Sequence, residues 1–262
     1  MESYKILSWN VNGIRAVERK KLFIPLIDGE SPDILCLQEL KVSKEEDFPK
    51  KFRELGYEVF ISHPKEKKGY SGVAIMTKEK PISISEGFGI EKFDIEGRVL
   101  RADYKNFILF SVYFPNGQKD DDRLAYKMEF YEKFEKYLEA LKKEGKNIVV
   151  CGDVNTAHEE IDLARPKNNE NVSGFLKIER DWISHFLSLG WIDTLREIKG
   201  QEEGLYTWWS MRAIGARDRN VGWRIDYFYV DSGMKKSIDN AYILPDYKGS
   251  DHCPLGLDLK FD

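Results

Sequence analysis

The chain has 262 residues, and 41 Lys and Arg stand against 45 Asp and Glu, so its formal net charge is −4 with His neutral. A hydrophobic content of 42% with 33% charged residues is typical of an ordinary globular protein and excludes a disordered or fibrous chain. The slight acidity argues against a protein that wraps nucleic acid over its whole surface, although it is compatible with a local basic face.

Cysteine content and targeting signals point to the reducing interior of a cell. Only Cys36, Cys151 and Cys253 occur, with no C-x-x-C pair, which argues against a disulfide scaffold. The first residues lack the basic and apolar regions of a signal peptide, and no apolar run approaches the roughly 20 residues that cross a bilayer. We therefore expect a cytoplasmic protein with no membrane contact, associated with the nucleoid if it is prokaryotic.

Short apolar, β-prone runs recur along the chain, and each ends in polar or turn residues. These runs are predicted strands, and they span residues 6–9, 34–37, 73–76, 107–113 and 148–151. The spacing of apolar residues predicts helices over 122–144 and 179–189, with others near 15–28 and 45–55.

Two pairs of predicted strands follow each other closely along the chain, 99–104 with 107–113 and 224–230 with 238–244. Other strands are separated by helices, so the pattern favours mixed sheets covered by helices over an all-parallel fold. Because there is no internal repeat and no Pro- or Ser-rich linker, residues 1–262 are expected to form a single α/β domain. The periodicity leaves the number of sheets open.

Acids and amides are concentrated directly after predicted strands, where a rigid strand fixes the direction of the residues that leave it. Asn10 and Asn12 lie in a segment whose composition is typical of a turn. Glu39 ends an apolar run, so its half-buried carboxylate needs either an ion-pair partner or a metal ion. Asp153 and Asn155 follow another strand, and their spacing does not fit an EF-hand loop.

A strand aspartate and a histidine form a second candidate pair. Asp226 lies inside the apolar run 225–230 and needs a partner that is cationic or donates hydrogen bonds. His252, beside Asp251, is the natural candidate, although a lone His is more often a packed or surface residue than a catalyst.

Several common catalytic motifs are absent from the sequence. There is no G-x-x-x-x-G-K-[ST] phosphate loop, no G-x-S-x-G elbow and no H-E-x-x-H zinc motif. The remaining groups are carboxylates, amides and one His, and a set built on Glu39, Asp251 and nearby amides suits a hard divalent ion such as Mg²⁺ or Mn²⁺. Since Mg²⁺ commonly binds substrate phosphates as well, the sequence indicates hydrolysis of a phosphodiester or phosphomonoester.

The segment 206–224 indicates the substrate, because it places four Arg residues and a single acid, Asp218, among three Trp residues. Arg interleaved with Trp is typical of a surface that binds a nucleic-acid backbone and a displaced nucleotide. The alternative is that these Trp residues fill the core. Two further basic loops are predicted, one with Lys65, Lys67 and Lys68 and one with Lys119, Arg123 and Lys127.

Together these segments resemble the exonuclease III family of abasic-site endonucleases, within the endonuclease/exonuclease/phosphatase superfamily. The likeness runs nearly end to end and is strongest to archaeal and animal-type members. It is carried by SWNVNGIRA at 8–16, PDILCLQE at 32–39, KGYSGV at 68–73, EGR at 96–98, YFPNG at 113–117, GDVNTAH at 152–158, NVGWRIDY at 220–227 and GSDHCP at 249–254.

The resemblance implies a two-sheet α/β sandwich in four layers, with mixed sheets, helices outside and the site at one end of the sheets. By motif position, Glu39 would be the principal Mg²⁺ ligand, helped by Asn10, Asn12 or Asp251. Some relatives carry Asp where this chain has Asn12, which leaves the metal with one carboxylate fewer.

The resemblance also implies catalytic roles. Asp153 would orient or deprotonate the attacking water, and Asn155 would hold it. His252, paired with Asp226, would face the scissile phosphate.

The same resemblance assigns the substrate contacts. Tyr113 and Asn116 would bind the phosphate oxygens, and Trp208, Trp223 and Ile225 would line a pocket that admits a baseless sugar. Further DNA contacts are implied for Arg212, Lys119, Arg15, Tyr70 and Asn169.

The primary hypothesis is a monomeric Mg²⁺-dependent DNA repair nuclease that incises double-stranded DNA 5′ to abasic sites, with 3′→5′ exonuclease and 3′-phosphodiesterase or phosphatase activity. Mn²⁺ is expected to substitute for Mg²⁺, and for some archaeal members the resemblance extends to incision at deoxyuridine. One alternative is a phosphatase acting on inositol phosphates or lipids, against which the Trp and Arg segment argues. Another is a catalytically silent DNA-binding protein, which is disfavoured by the joint retention of Glu39, Asp153, Asn155 and His252.

Overall fold

The computed structural model describes residues 2–67 and 69–261, so Lys68 of the predicted basic loop lies outside the described residues. The strands are β1 Glu2–Asn10, β2 Ile34–Gln38, β3 Glu58–Ser62, β4 Val73–Thr77, β5 Ser83–Glu86, β6 Val99–Asp103, β7 Ile108–Tyr113, β8 Ile148–Asp153, β9 Trp191–Asp193, β10 Asp226–Asp231, β11 Ile238–Ile243 and β12 Leu255–Phe261. The helices are α1 Ile14–Arg19, α2 Phe23–Glu30, α3 Lys50–Arg53, α4 Glu91–Asp94, α5 Asp121–Lys143, α6 Lys177–Ser188 and α7 Thr194–Lys199. 3₁₀ segments of one or two turns cover Glu45–Asp47, Glu160–Asp162, Pro166–Asn168 and Ser232–Ser237.

Within the described part of the chain, the strands form two six-stranded sheets. The first has the order β11-β12-β1-β2-β4-β3 and the second the order β5-β6-β7-β8-β10-β9. In the first sheet β1 and β2 are parallel, in the second β7 and β8 are parallel, and the neighbouring pairs are antiparallel. The prediction of mixed sheets is confirmed.

Three apolar clusters stack the sheets and helices into a four-layered α/β sandwich. Between the sheets, residues such as Ile34 and Val149 pack face to face. On the outer face of the first sheet, Leu26 of α2 packs in one cluster with β-strand residues. On the outer face of the second sheet, Phe134 of α5 and Ile183 of α6 do the same. The α/β sandwich implied by the resemblance is confirmed.

The segment predicted as one helix near 15–28 forms two helices, α1 and α2, because the chain turns at Lys21, whose φ is +56°. Pro25 lies in the first turn of α2, where a missing N–H is tolerated, whereas in a continuous helix it would remove a hydrogen bond. The helices predicted over 122–144 and 179–189 are confirmed within about two residues as α5 and α6.

Of the two predicted pairs of adjacent strands, one is confirmed and the other is wrong. β6 and β7 are antiparallel neighbours, but β10 and β11 lie in different sheets, and β11 pairs with β12. The 3₁₀ segment Ser232–Ser237 carries the chain from one sheet to the other. Because both strands bury apolar side chains, their pattern does not say in which sheet each belongs. None of the helices within residues 2–67 and 69–261 combines the length and the apolar character that a membrane span requires.

Candidate active site

The central strands of both sheets end on one side of the sandwich. Parallel β1 and β2 end at Asn10 and Gln38, which places Asn10 beside Glu39. Parallel β7 and β8 end at Tyr113 and Asp153. Since parallel strands end at the same edge, polar residues from distant parts of the chain reach one place.

The antiparallel neighbours bring the remaining groups to the same place. β10 runs opposite to β8 and therefore begins where β8 ends, with Asp226 in register with Asp153. β12 runs opposite to β1, and His252 lies three residues before its first residue, Leu255.

Glu39, Asp153 and His252 meet at this end of the sandwich. Each offers one ligand atom, and the three atoms lie within 4.8 Å of one another. Within residues 2–67 and 69–261, this is the one group of three or more His, Cys, Asp and Glu side chains close enough to share a metal ion. Carboxylate and imidazole groups are common ligands of divalent ions, so the cluster is a candidate metal site.

Glu39 has a cationic partner in the structure, which is one of the two possibilities left by its sequence. Its Oε2 lies 3.1 Å from Lys41 Nζ, and its Oε1 accepts a hydrogen bond from Asn10 Nδ2 at 3.0 Å. Burial favours the neutral acid, but Lys41 and Asn10 outweigh it and hold the pKa of Glu39 below its usual value. The carboxylate is therefore charged and available to a cation.

Asp153 is buried and surrounded by amide donors. Its Oδ2 accepts from Asn10 Nδ2 at 2.9 Å and from Asn155 Nδ2 at 3.3 Å, and its Oδ1 accepts from the Asn155 backbone N–H at 2.8 Å. Burial and the neighbouring Asp226 carboxylate raise the pKa of Asp153 above its usual value. A carboxylate with a raised pKa accepts a proton more readily, as a general base must.

His252 lies between two carboxylates. Its Nδ1 donates to Asp226 Oδ2 at 2.8 Å, and its Nε2 is 3.9 Å from Asp153 Oδ2. Thr207 Oγ1 donates to the same Asp226 oxygen at 2.6 Å and so fixes that carboxylate, a role that no sequence motif indicated. Burial opposes protonation of His252, but the charge of Asp226 dominates and raises the pKa of the imidazole.

Asn155 and Asn116 form an amide pair beside Asp153. Asn155 has a left-handed φ of +58°, its Nδ2 donates to the Phe114 carbonyl at 2.9 Å, and its Oδ1 accepts from Asn116 Nδ2 at 3.0 Å. Tyr113 is buried nearby, and burial together with the Glu39 charge raises the pKa of its hydroxyl. Tyr113 therefore remains protonated and can donate a hydrogen bond.

Asn12 and Asp251 lie beside the cluster and bond to each other, Asn12 Nδ2 donating to Asp251 Oδ1 at 2.8 Å. The amide oxygen of Asn12 accepts from Lys41 Nζ, and that of Asn10 accepts from the Asn12 backbone N–H at 3.0 Å. Asp251 Oδ2 accepts from Trp208 Nε1 at 3.0 Å. Since these oxygens are bound by protein donors, metal contacts of Asn10, Asn12 and Asp251 stay predictions.

A cavity of about 440 Å³ opens directly beside the cluster. Trp208, Trp223 and Ile225 form part of its wall, with the two indole rings nearly perpendicular, and Asn169 also lines it. Sequence patterns gave no signal for four further lining residues, Gln118, Val172, Gly174 and Ser210. A larger cavity of about 730 Å³, near His158, contains none of the predicted site residues.

The remaining predicted DNA contacts lie outside the cavity. Arg15, Lys119 and Arg212 are exposed, and Arg15 bonds weakly to the Lys41 carbonyl at 3.4 Å. Tyr70 is half-buried, and its hydroxyl accepts from two arginines, one of them Arg98.

The prediction that the basic segments form a DNA-binding surface is wrong for three of their cationic residues, whose side chains are bound within the protein. Arg224 is fully buried and bonds to Asp162. Arg217 donates to three backbone carbonyls, and Lys127 is fully buried against Glu179. The acceptors of these three side chains lie far away in the sequence. The local count of charges therefore could not predict that the side chains are bound within the protein.

Residues 7–252 match the model of the Endonuclease/Exonuclease/phosphatase family. The chain belongs to this family. It is also 44% identical over 253 residues to a protein named exodeoxyribonuclease from Bacillus subtilis, with 97% of this chain and 98% of that protein covered. This confirms the predicted family and makes the chain a family hydrolase.

Solved structures of family members superpose on the whole sandwich. An AP endonuclease from Archaeoglobus fulgidus is 33% identical, with a TM-score of 0.89 and coverage of 98% of this chain and 100% of that one. A 3′ phosphatase from Neisseria, bound to a product DNA hairpin, is 28% identical, with a TM-score of 0.87 and the same coverage of both chains. The family fold thus includes members that act at abasic sites and at 3′ ends.

Proposed function

We propose that this chain is a monomeric Mg²⁺-dependent DNA repair nuclease. It hydrolyses the phosphodiester 5′ to abasic sites in double-stranded DNA and also has 3′→5′ exonuclease and 3′-end trimming activity. The observation that carries the proposal is the meeting of Glu39, Asp153 and His252 within 4.8 Å, beside a cavity walled by Trp208 and Trp223. The names of the relatives, an exodeoxyribonuclease, an AP endonuclease and a 3′ phosphatase, support it.

The donor set fits a hard divalent cation. Glu39 supplies a charged carboxylate at the cluster, with Asp153 and His252 close to it. Asn12 and Asp251 lie next to them and would complete the set with Asn10. A bound Mg²⁺ would supply Lewis-acid stabilisation of the phosphate oxygens, and Mn²⁺ is expected to substitute.

Asp153 and Asn155 would prepare the attacking water. The carboxylate is held by three amide hydrogen bonds, so its direction is fixed before the substrate binds. Its raised pKa lets it accept the proton of the water, while the Asn155 side chain positions that water.

His252, Tyr113 and Asn116 would stabilise the charge that builds on the phosphate. The imidazole is held by Asp226, whose charge raises the pKa of the ring and so favours its positively charged form at the cluster. Tyr113 and Asn116 add neutral donors on the side of β7. Fixed donors in a partly closed site are effective because they need no rearrangement during the reaction.

The Trp-walled cavity would admit a sugar that carries no base. An abasic nucleotide is easier to extrude from the duplex, because no base pair is broken, and Trp208, Trp223 and Ile225 would contact the extruded sugar. Backbone contacts on the surrounding face are assigned to Arg15, Tyr70, Lys119, Asn169 and Arg212.

The test is cleavage of a labelled duplex with one abasic-site analogue. We expect incision 5′ to the site in Mg²⁺, none in EDTA, and a fall in rate of about 100-fold or more in Asp153→Asn and His252→Ala. Asp181→Asn, which changes an exposed carboxylate outside the site, is the matched control and is expected to keep wild-type activity. Wild-type rates in either site variant would contradict the proposal.

A substrate panel separates the alternatives. Undamaged, deoxyuridine-containing and 3′-phosphate duplexes measure the exonuclease, deoxyuridine-incision and trimming activities under the same conditions. An inositol phosphate tests the small-molecule phosphatase. Faster turnover of the inositol phosphate than of the abasic duplex would favour that alternative.

A further inference from the structure

Three consecutive carbonyls behind the site are each held by a buried side chain. Tyr131 Oη donates to the Val154 carbonyl at 2.6 Å, and Tyr227 Oη donates to the Thr156 carbonyl at 2.8 Å. Between them, Lys127 Nζ donates to the Asn155 carbonyl at 2.8 Å. These are the residues that directly follow Asp153, so the bonds fix the backbone of the catalytic loop 153–156.

Lys127 is the centre of this arrangement. Its side chain is 0% exposed, and its three N–H donors are used on three acceptors, the Asn155 carbonyl, Thr156 Oγ1 and Glu179 Oε1. A lysine ammonium has three donors and no acceptor, so all of its hydrogen-bonding capacity is satisfied. The side chain is therefore held in one position.

Glu179, the partner of Lys127, holds a second loop. Its Oε1 accepts from Ser173 Oγ at 2.8 Å, and its Oε2 accepts from the backbone N–H groups of Gly174 at 2.6 Å and Leu176 at 3.0 Å. Gly174 lines the cavity, and a Cβ at that position would lie 3.2 Å from the Trp223 ring. One buried ion pair thus joins the catalytic loop to the wall of the substrate cavity.

Stability alone does not explain this pair. A buried ion pair often contributes no more than well-packed apolar side chains of the same volume, because both charges lose their hydration. The contacts of this pair go to the loop that carries Asp153 and Asn155 and to the loop beside Trp223.

We propose that Lys127, through Glu179, is a positioning residue for the proposed nuclease reaction. It acts through the Asn155 backbone, whose left-handed φ of +58° sets the direction of the side chain that bonds to Asp153 and accepts from Asn116. This inference rests on the proposed function. Without Lys127, Asn155 moves relative to Asp153 while the exposed DNA-binding face is unchanged.

The experiment compares steady-state kcat and KM on the abasic duplex. Lys127→Met alone leaves a buried, unpaired Glu179, so the main variant is Lys127→Met combined with Glu179→Gln, which removes both charges. We expect kcat to fall about 10- to 100-fold, because displacements of about 1 Å at a catalytic group have effects of this size. The Kd for an undamaged duplex in EDTA, which depends on the exposed DNA-binding face and not on the cavity wall, is expected to stay at its wild-type value.

Two variants separate positioning from a loss of stability. Leu138→Ala truncates a buried residue on the same helix whose apolar side chain makes no hydrogen bond to the loop 153–156, and it is expected to lower Tm while keeping kcat. Tyr131→Phe removes one oxygen, folds with little change in packing, and is expected to lower kcat with KM unchanged.

Wild-type kcat in the double variant or in Tyr131→Phe would overturn the inference. So would a loss of kcat in Leu138→Ala as large as in the double variant. If the double variant does not fold, the kcat of Tyr131→Phe decides whether the inference stands. Failure of the wild-type protein to cleave any DNA duplex would instead overturn the proposed function, and the inference with it.

Discussion

Asp153 and Asp226 lie directly opposite each other as a register pair of the antiparallel strands β8 and β10, and both carboxylates are buried. Two buried carboxylates so close together repel each other, which is one cause of the raised pKa of Asp153. His252 contacts Asp226 and faces Asp153, so the positive charge of its imidazolium offsets the repulsion between the two carboxylates. The charge balance of the site depends on this histidine.

Asp226→Asn is expected to lower kcat by about 100-fold or more, because His252 loses the charge that keeps it protonated and oriented. The measurement is single-turnover cleavage of the abasic duplex. Asp231→Asn is the matched control, since Asp231 is a buried aspartate at the far end of the same strand and bonds only to backbone N–H groups. Asp231→Asn is expected to affect stability and leave kcat unchanged, and equal losses in both variants would contradict a catalytic role.

Mg²⁺ is expected to raise Tm in the absence of DNA. A ligand that binds the native state stabilises it by RT ln(1 + [L]/Kd), so a tenfold excess over Kd corresponds to a shift of roughly 3–5 °C for a domain of this size. Glu39→Gln is expected to lose most of this shift, because the amide removes the charged ligand at the cluster. Differential scanning fluorimetry at matched ionic strength measures both proteins, and an equal shift in the variant would place the ion elsewhere.

Asp162→Asn is expected to lower the free energy of unfolding by about 3–5 kcal/mol. Asp162 is buried and accepts from Arg224 at 2.8 and 3.0 Å and from Arg196 at 2.6 Å. Its loss leaves the two guanidinium groups with one carboxylate, Asp193, which pairs with Arg224. Urea denaturation measures the change. Asp181→Asn, which breaks an exposed pair with Lys177, is the control and is expected to cost less than about 1 kcal/mol.

The contribution of Asp162 is expected to depend on pH in a defined window. Arg224 and Arg196 outweigh burial and lower the pKa of Asp162 to about 2 in the folded protein, against about 3.9 in an unfolded chain. Its stabilisation is therefore complete above about pH 4 and is lost as the pH falls toward 2, where the folded carboxylate is protonated. The difference in unfolding free energy between wild type and Asp162→Asn should shrink by about 2 kcal/mol over this range, and a constant difference would contradict the assignment.

Gly174→Ala is expected to lower kcat/KM on the abasic duplex about tenfold, since a shifted cavity wall changes substrate binding by one to a few kcal/mol. The added Cβ would lie 3.2 Å from the Trp223 ring and 3.4 Å from the Asn155 carbonyl, so the wall must move. Gly145→Ala is the matched control, because Gly145 also has a positive φ but a Cβ there meets nothing within 4 Å. Comparable losses of activity in both variants would assign the effect to backbone strain.

The strands that carry the site could be predicted because each is an apolar run that ends in polar residues. β5 and β9 gave no such signal, since Ser83–Glu86 is largely exposed and Trp191–Asp193 is only three residues long. The composition of segment 206–224 does not predict which of its Trp residues are packed in the core. Trp209 is packed in the core, whereas Trp208 and Trp223 line the cavity, and nothing in their spacing distinguishes them.

The candidate site could be predicted only as a set of residue types. Local pattern showed that Glu39 needs a partner, but not that Lys41 provides one. The buried pair of Lys127 and Glu179 was missed because the two residues are 52 positions apart and each is common on surfaces.

By itself the sequence determined which strands end in carboxylates, amides and histidine, and hence the class of chemistry, because residue type and local apolar pattern are properties of short segments. Only the tertiary structure decided which of these groups share a cation, which arginines are buried and which Trp residues face the cavity. Those outcomes depend on strand order and on contacts between residues far apart in the chain, such as Asp153 with Asp226, and the free energy of such contacts is set by burial that no local pattern encodes.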